Sequence, residues 1–172
     1  MPDSANRSDT APAAPAAFTR HDHAHCRADA LGRAEVLLDA SGAKLTPVRR
    51  RALEILWSEH RAFGAYEVLD RLAQSGFGRQ PPVAYRALDF LVEAGLAHRI
   101  RRLNAYAACT HPGETHAPLF LICDRCRAVA ETAAPEVRAA LDGAAREVGF
   151  TVTRASVEAA GLCPGCTAAE GA

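Results

Sequence analysis

Two cysteine pairs, Cys123-Asp124-Arg125-Cys126 and Cys163-Pro164-Gly165-Cys166, constrain this chain more than any other feature. A C-x-x-C turn aims two thiolates at one point, and two such turns supply the four sulfurs of a tetrahedral zinc site. The alternative is a set of disulfides or redox dithiols. Neither pair sits in a thioredoxin-like βαβ pattern and no secretory signal precedes them, which favours metal. The 36 residues between Cys126 and Cys163 exceed the ~15–20 of a compact zinc ribbon. A small domain must therefore fold between the pairs, with the metal pinning its ends.

A chain of 172 residues allows one domain of ordinary size or two small ones. Hydrophobic residues make up 49% of it, enough for a core, but aromatics only 6%, so a small domain here gains from a structural metal. No apolar run approaches the ~18 residues of a membrane span. The N-terminus lacks a basic-then-apolar signal pattern, and the expected compartment is the cytoplasm, where thiols stay reduced and bind metal. The net charge of zero hides an asymmetry: residues 27–108 carry +4, residues 109–172 carry −3 and residues 1–26 carry −1. A basic half joined to an acidic half suits a DNA-binding protein, although ordinary domains often show an imbalance of this size.

Residues 1–26 are rich in Ala, Pro, Asp and Ser without an apolar period, and are expected to be a disordered tail. In its last stretch His21, His23 and His25 could hold a third metal weakly, but spacing alone does not pre-organise a site, and an unstructured cluster is the simpler reading. From Arg27 the pattern turns helical, with Leu31, Ala34 and Leu38 on one face and Gly42 as a stop. Thr46-Pro47 reads as an N-cap followed by proline at the first helical position. Leu53, Leu56, Trp57 and His60 mark the inner face of this second helix. A third helix starts near Ala65, with Leu69, Leu72 and Ala73 inward, and ends near Gly76. A fourth begins at Pro81-Pro82, buries Ala84, Ala87, Leu88 and Leu91, and closes at Gly95.

The outer face of the fourth helix carries Tyr85, Arg86, Asp89 and Glu93. Directly after it, Leu96–Ile100 and Ala105–Ala107 flank the polar turn Arg101-Arg102-Leu103-Asn104, which reads as a hairpin. Helices followed by a hairpin make a winged helix-turn-helix, whose last helix enters the major groove of double-stranded DNA while the wing meets the backbone. Arginine suits guanine edges and phosphates alike. The bland reading of Tyr85 and Arg86 is a solvated helix face.

Residues 109–118 break all periodicity and are expected to be a hinge between a domain at 27–108 and another at 119–172. In the second domain, Leu119–Ile122 reads as a buried strand entering the first cysteine pair, and Ala128–Glu131 returns from it. Val137, Leu141, Ala144 and Val148 form a helix face, and Phe150–Glu158 reads as a further strand. The expected fold class is α+β: a winged helix followed by a small α/β domain with a four-cysteine zinc site. So small a sheet has exposed edges and little core, so a homodimer is expected. His98, Cys109, His116 and Glu131 flank the hinge, and each is a competent zinc ligand, but their spacing makes no tight motif. Taken by spacing alone they are unrelated surface residues.

Resemblance adds to this. Leu45-Thr46-Pro47 with Arg49, then Pro81 to Leu91, then His116 to Cys126, and finally Glu158 to Cys163 resemble the ferric uptake regulator family, and most of all its zinc uptake regulator branch. The resemblance spans about residues 28–166. It implies an N-terminal winged helix and a C-terminal dimerisation domain. It implies two zinc ions per protomer: a structural one at Cys123, Cys126, Cys163 and Cys166, and a regulatory one at His98, Cys109, His116 and Glu131. Tyr66 and Arg86 are expected to touch DNA, with Tyr85 beside them and Arg101 and Arg102 on the wing. In this branch neighbouring dimers can also join through their DNA-binding domains, so the resemblance allows two dimers on one operator. The family's usual Pro-Thr-Val-Tyr-Arg is here Pro82-Val83-Ala84-Tyr85-Arg86, so a threonine hydroxyl is lost at Val83. Were it an N-cap, its loss would cost about 0.5–2 kcal/mol.

The implied function is a zinc-dependent repressor of zinc uptake genes, in which the regulatory ion selects a closed domain arrangement. Moving a population from 1:99 to 99:1 takes about 5.5 kcal/mol of differential affinity. Within the family an iron or peroxide sensor is the rival, opposed by the thiolate at Cys109. From other classes come a zinc hydrolase, which needs an open coordination position and finds no H-E-x-x-H here, and a protein-binding zinc adaptor without DNA contact.

Overall fold

The computed structural model describes residues 15–18, 23–114 and 116–169. A 3-10 turn at Ala16–Phe18 packs against the C-terminal sheet. Helix α1 spans His23–Ala40. The helix thus begins before Arg27, and the expected tail boundary at residue 26 falls inside its first turns. Ala30, Ala34 and Leu38 are buried and Leu31 packs at the edge. Helix α2 is Pro47–Leu56, preceded by Thr46, whose side chain makes no cap bond; proline at the first position does the starting. The helix stops before Trp57, so His60 lies beyond it, where its carbonyl accepts a 3.0 Å bond from the Val129 N–H.

Strand β1 (Phe63–Gly64) leads into α3 (Ala65–Gln74), and α4 covers Pro81–Glu93. Ala84, Ala87, Leu88 and Leu91 are all buried against α2 and α3. Position 83 is the third residue of α4, whose N-cap is Gln80. A threonine there would not be an N-cap, because the Pro81-Pro82 step starts the helix a turn earlier, so the expected capping loss at Val83 does not arise. Val83 instead packs against the core. At Gly95 (φ +70°) the chain reverses, the Leu96 N–H bonds the Leu91 carbonyl at 2.8 Å, and β2 begins at once. The left-handed conformation is what glycine permits here. Strands β2 (Ala97–Ile100) and β3 (Ala105–Ala108) form the wing. The short β1 pairs with β3 and completes a three-stranded sheet in the order β1-β3-β2.

The C-terminal sheet has the order β5-β4-β6, from β4 (Pro118–Cys123), β5 (Val129–Ala133) and β6 (Val157–Gly161). Helix α5 (Pro135–Glu147) is the crossover that brings β6 back parallel to β4. Residues 150–156, expected to be strand, are irregular; only the last part of that stretch pairs. A short helix α6 (Pro164–Ala168) follows Cys163. The apolar face expected on α5 is present but uncovered: the helix buries no residue, and Val137, Leu141, Val148 and Phe150 are exposed.

Wing and C-terminal sheet share an apolar cluster. Ile100 and Ala107 from the wing meet Phe120, Ile122 and Val129, with Ala62 and Leu103 at the rim. A lone bridge between Arg61 and Ala128 ties the two parts again. Among the described residues no helix is long and apolar enough to cross a membrane.

Candidate metal centres and nucleic-acid face

The parallel pairing of β4 with β6 sets Cys123 opposite Gly161, two residues before Cys163. The long spacing in sequence is thereby closed in space. After β4 the chain turns so tightly that Arg127 takes φ +64°, and the Cys123 and Arg127 backbones bond across the turn. The Asp124 N–H bonds the Gly161 carbonyl at 2.8 Å, fixing one cysteine turn to the other. The ligand atoms of Cys123, Cys126, Cys163 and Cys166 all lie within 4.8 Å of one another. Cys126 Sγ and Cys163 Sγ are 3.7 Å apart, the edge of about 3.8 Å expected for a tetrahedron with Zn–S bonds near 2.3 Å. A disulfide needs about 2.05 Å, and all four are free thiols. The Cys126 and Cys163 backbone N–H groups hold the Cys123 thiol below the usual thiol range, which favours its thiolate. The donor set fits a closed zinc site.

The second constellation is assembled from four places. His98 stands on β2, Cys109 follows β3, His116 precedes β4 and Glu131 is on β5. Their ligand atoms also lie within 4.8 Å of one another. Cys109 Sγ is 3.7 Å from His116 Nε2, which is 2.7 Å from Glu131 Oε1. His98 Nε2 lies 3.1 Å from the same oxygen, yet it is a buried polar atom out of line for a hydrogen bond. A ring nitrogen left so is costly unless a ligand takes its lone pair. His116 Nδ1 is 2.8 Å from the Glu114 carbonyl, which suits an Nδ1–H and leaves Nε2 to face the cluster. Thr110 donates both its N–H (2.7 Å) and its hydroxyl (2.8 Å) to Glu131 Oε2, leaving Oε1 for the cluster. These residues fit a metal ion of the zinc type, with all four tetrahedral positions filled by protein.

Burial, with Glu131 beside it, pushes the Cys109 thiol up to about 12. Burial works against ionisation of Glu131 as well, but the His98 imidazole and the two Thr110 donors outweigh it and hold that carboxyl down to about 2. At neutral pH Glu131 is therefore already charged and Cys109 is not. Zinc uptake here is expected to release one proton from Cys109, so affinity rises with pH through the neutral range. Calorimetry in two buffers of different ionisation enthalpy measures that proton, and Cys109→Ser removes it.

The structure puts Tyr66 on the first turn of α3 (64% exposed) and Tyr85 (41% exposed) with Arg86 on the outer face of α4. Such large exposed aromatics on two successive helices want a partner. Arg49, by contrast, lies over the Phe90 ring at 3.5 Å, a packing role. Arg101 and Arg102 have exposed side chains, but their turn is not a free tip: both backbone N–H groups bond Glu158, and the Arg102 guanidinium is 3.9 Å from Asp124. Sequence reasoning missed Thr110 and Glu158. Of the proposed weak histidine site, His21 lies outside the described residues, as do the side chains of His23 and His25.

Residues 40–160 match the ferric uptake regulator family. The zinc uptake regulation protein of Escherichia coli K12 is 36% identical over 141 residues, covering 81% of this chain and 82% of that protein. A zinc uptake regulator solved with zinc and DNA superposes with a TM-score of 0.81 at 35% identity, over 85% of this chain and 98% of the other. A holo XcZur crystal structure gives a TM-score of 0.73 at 34% identity, over 86% and 99% of the two chains.

Proposed function

This chain belongs to the ferric uptake regulator family, and from that premise we propose that it is a zinc-responsive, DNA-binding transcriptional repressor of zinc uptake genes. The observation that carries the reading is the second constellation: four zinc-competent donors, drawn from wing, connecting segment and C-terminal sheet, converge on one point. Cys123, Cys126, Cys163 and Cys166 hold a structural zinc, and His98, Cys109, His116 and Glu131 hold a regulatory one, two per protomer. An ion bound at the latter would add directional bonds between wing and C-terminal sheet, which the apolar cluster, the Arg61–Ala128 bridge and the Glu158 hydrogen bonds already link. The chain's residues do the rest. Thr110 orients Glu131, the Glu114 carbonyl orients His116, and the Ile100–Phe120 contact excludes water beside the site.

Tyr66, Tyr85 and Arg86 form the face offered to duplex DNA, Arg86 reading a groove edge, with the exposed side chains of Arg101 and Arg102 at its flank. The uncovered apolar residues of α5 and the open edge of β6 are closed by a second copy of the chain. Two such dimers on one operator, which the resemblance allows, would show in the stoichiometry of the complexes. The expected setting is the cytoplasm, and the protein is not an enzyme. A hydrolase needs an open position on its metal, and here Glu131 is tied down by Thr110 and aimed into the donor set.

The test is a mobility-shift titration of promoter fragments from zinc uptake genes, with and without free zinc. Retarded bands are expected only with zinc, and equal binding without it would sink the reading. Arg86→Ala is expected to remove specific binding, at about 1–3 kcal/mol per base contact in each protomer, while dimer and zinc content persist. Wild-type affinity at matched salt would take Arg86 out of the contact surface.

A further inference from the structure

Glu131 and Glu158 occupy one row of the C-terminal sheet. Phe120 in the middle strand pairs with Glu131 of β5 on one side and with Glu158 of β6 on the other. Neighbours on such a row project to the same face, and two strand spacings set the outer pair about 9–10 Å apart. Both carboxylates meet the wing hairpin at different heights. Glu131 meets His98 near the start of β2. Glu158 accepts from the N–H groups of Arg101 (2.7 Å) and Arg102 (2.9 Å), just beyond the end of β2. Phe120 fills the space between, its ring 5.2 Å from that of His98 and packed with Ile100.

One attachment point leaves a body free to pivot; two on a line, with an apolar contact between them, fix its orientation. The donor cluster alone would be such a pivot, since its bonds meet at a single atom. Glu158 lies outside the cluster and ligates nothing. Its hydrogen bonds are charge-assisted and specify the backbone of the turn, whatever the side chains there. Asp124, beside Arg102, adds a second negative group at the same tip. We infer that Glu158 is a positioning residue: it latches the wing turn to the sheet and thereby sets how tightly the regulatory cluster takes its ion. This rests on the proposed reading of that cluster as the regulatory zinc site. Because ion and latch both favour the docked arrangement, losing the latch weakens the ion by the factor by which the docked fraction falls.

The experiment uses the full-length dimer with one zinc per protomer, in wild type, Glu158→Ala and Glu158→Gln. Amide hydrogen exchange is followed at Arg101 and Arg102 before the second zinc is added. Zinc affinity of the remaining site is then measured by competition with a chelating dye. Glu158→Ala is expected to lose the protection of both amides and to bind the second zinc about tenfold more weakly, with dimer and structural zinc unchanged. Glu158→Gln, with one acceptor oxygen in place of two, should fall between. If the alanine variant gives no dimer, the isosteric glutamine variant decides by the same two readouts. Unchanged amide protection, or wild-type zinc affinity despite lost protection, overturns the proposal, as does loss of the structural zinc in both variants. A wild-type protein whose second zinc leaves DNA binding unaffected would overturn the repressor reading instead, and the latch would stand on its amides and its affinity shift.

Discussion

Cys123→Ser is expected to cost the C-terminal part its fold, giving monomer or aggregate in place of a dimer. The physical ground is how little apolar core this part owns. Among the described residues it buries only Pro118, Phe120, Ile122, Cys123, Val129 and Ala130 and the side chain of Glu131, and α5 contributes none. A three-stranded sheet with one uncovered helix face cannot offset the conformational entropy of some fifty residues at about 1–2 kcal/mol each for the backbone. A closed thiolate site supplies what the core lacks, since apparent binding energies of about 10–16 kcal/mol for structural zinc are folding energy. Cys123 is the most consequential of the four: it ends the central strand, it is buried, and its thiol is the one already inclined to ionise. Serine fills the space and keeps the strand but offers no thiolate. Circular dichroism, sedimentation and metal analysis should show lost sheet, lost dimer and lost zinc together, while the helices of the N-terminal part remain, held by their own core around Leu53, Leu72, Leu88 and Leu91. A native dimer in this variant would mean that the four-cysteine site is not what holds the sheet.

The four-cysteine site was legible because its information is local. Each pair is set by a turn of four residues, and only the closure of the gap between them needed the parallel β4–β6 pairing. Helices α2 to α4 were legible for the same reason, through apolar period and prolines at their starts. Period says which face is apolar, not what covers it, so the face at Val137 and Leu141 was legible but not that a single chain leaves it bare. The two residues of β1 carry no pattern and become a strand only by pairing with β3. His98, Cys109, His116 and Glu131 stand on separate elements, and no spacing rule joins them; the resemblance did, and the fold now does. The grip of Glu158 was out of reach altogether, because its partners are backbone N–H groups, which every residue but proline offers.

Cys109→Ser should separate the two metal sites cleanly. The variant is expected to remain a folded dimer with its structural zinc, to carry one zinc fewer per protomer, and to bind DNA no better with zinc than without. Cys109 is buried at the end of the wing sheet, its N–H bonded to the Leu96 carbonyl, so serine keeps both the backbone bond and the volume. What disappears is the one soft ligand, and with it the preference for zinc over a hard ion. His98, His116 and Glu131 would remain, the two Nε2 atoms 3.1 and 2.7 Å from Glu131 Oε1, a cluster able to persist without an ion. A chelator titration of the wild type should give the same order of events. The mixed site, assembled across parts that can move relative to one another, empties first and DNA is released. The four-cysteine site, built into the sheet it stabilises, empties only as secondary structure is lost. Metal analysis, sedimentation and mobility shift on one titration series follow all three quantities. Normal zinc-dependent DNA binding by Cys109→Ser, or simultaneous loss of both ions from the wild type, would show that the cluster between wing and sheet is not the switch.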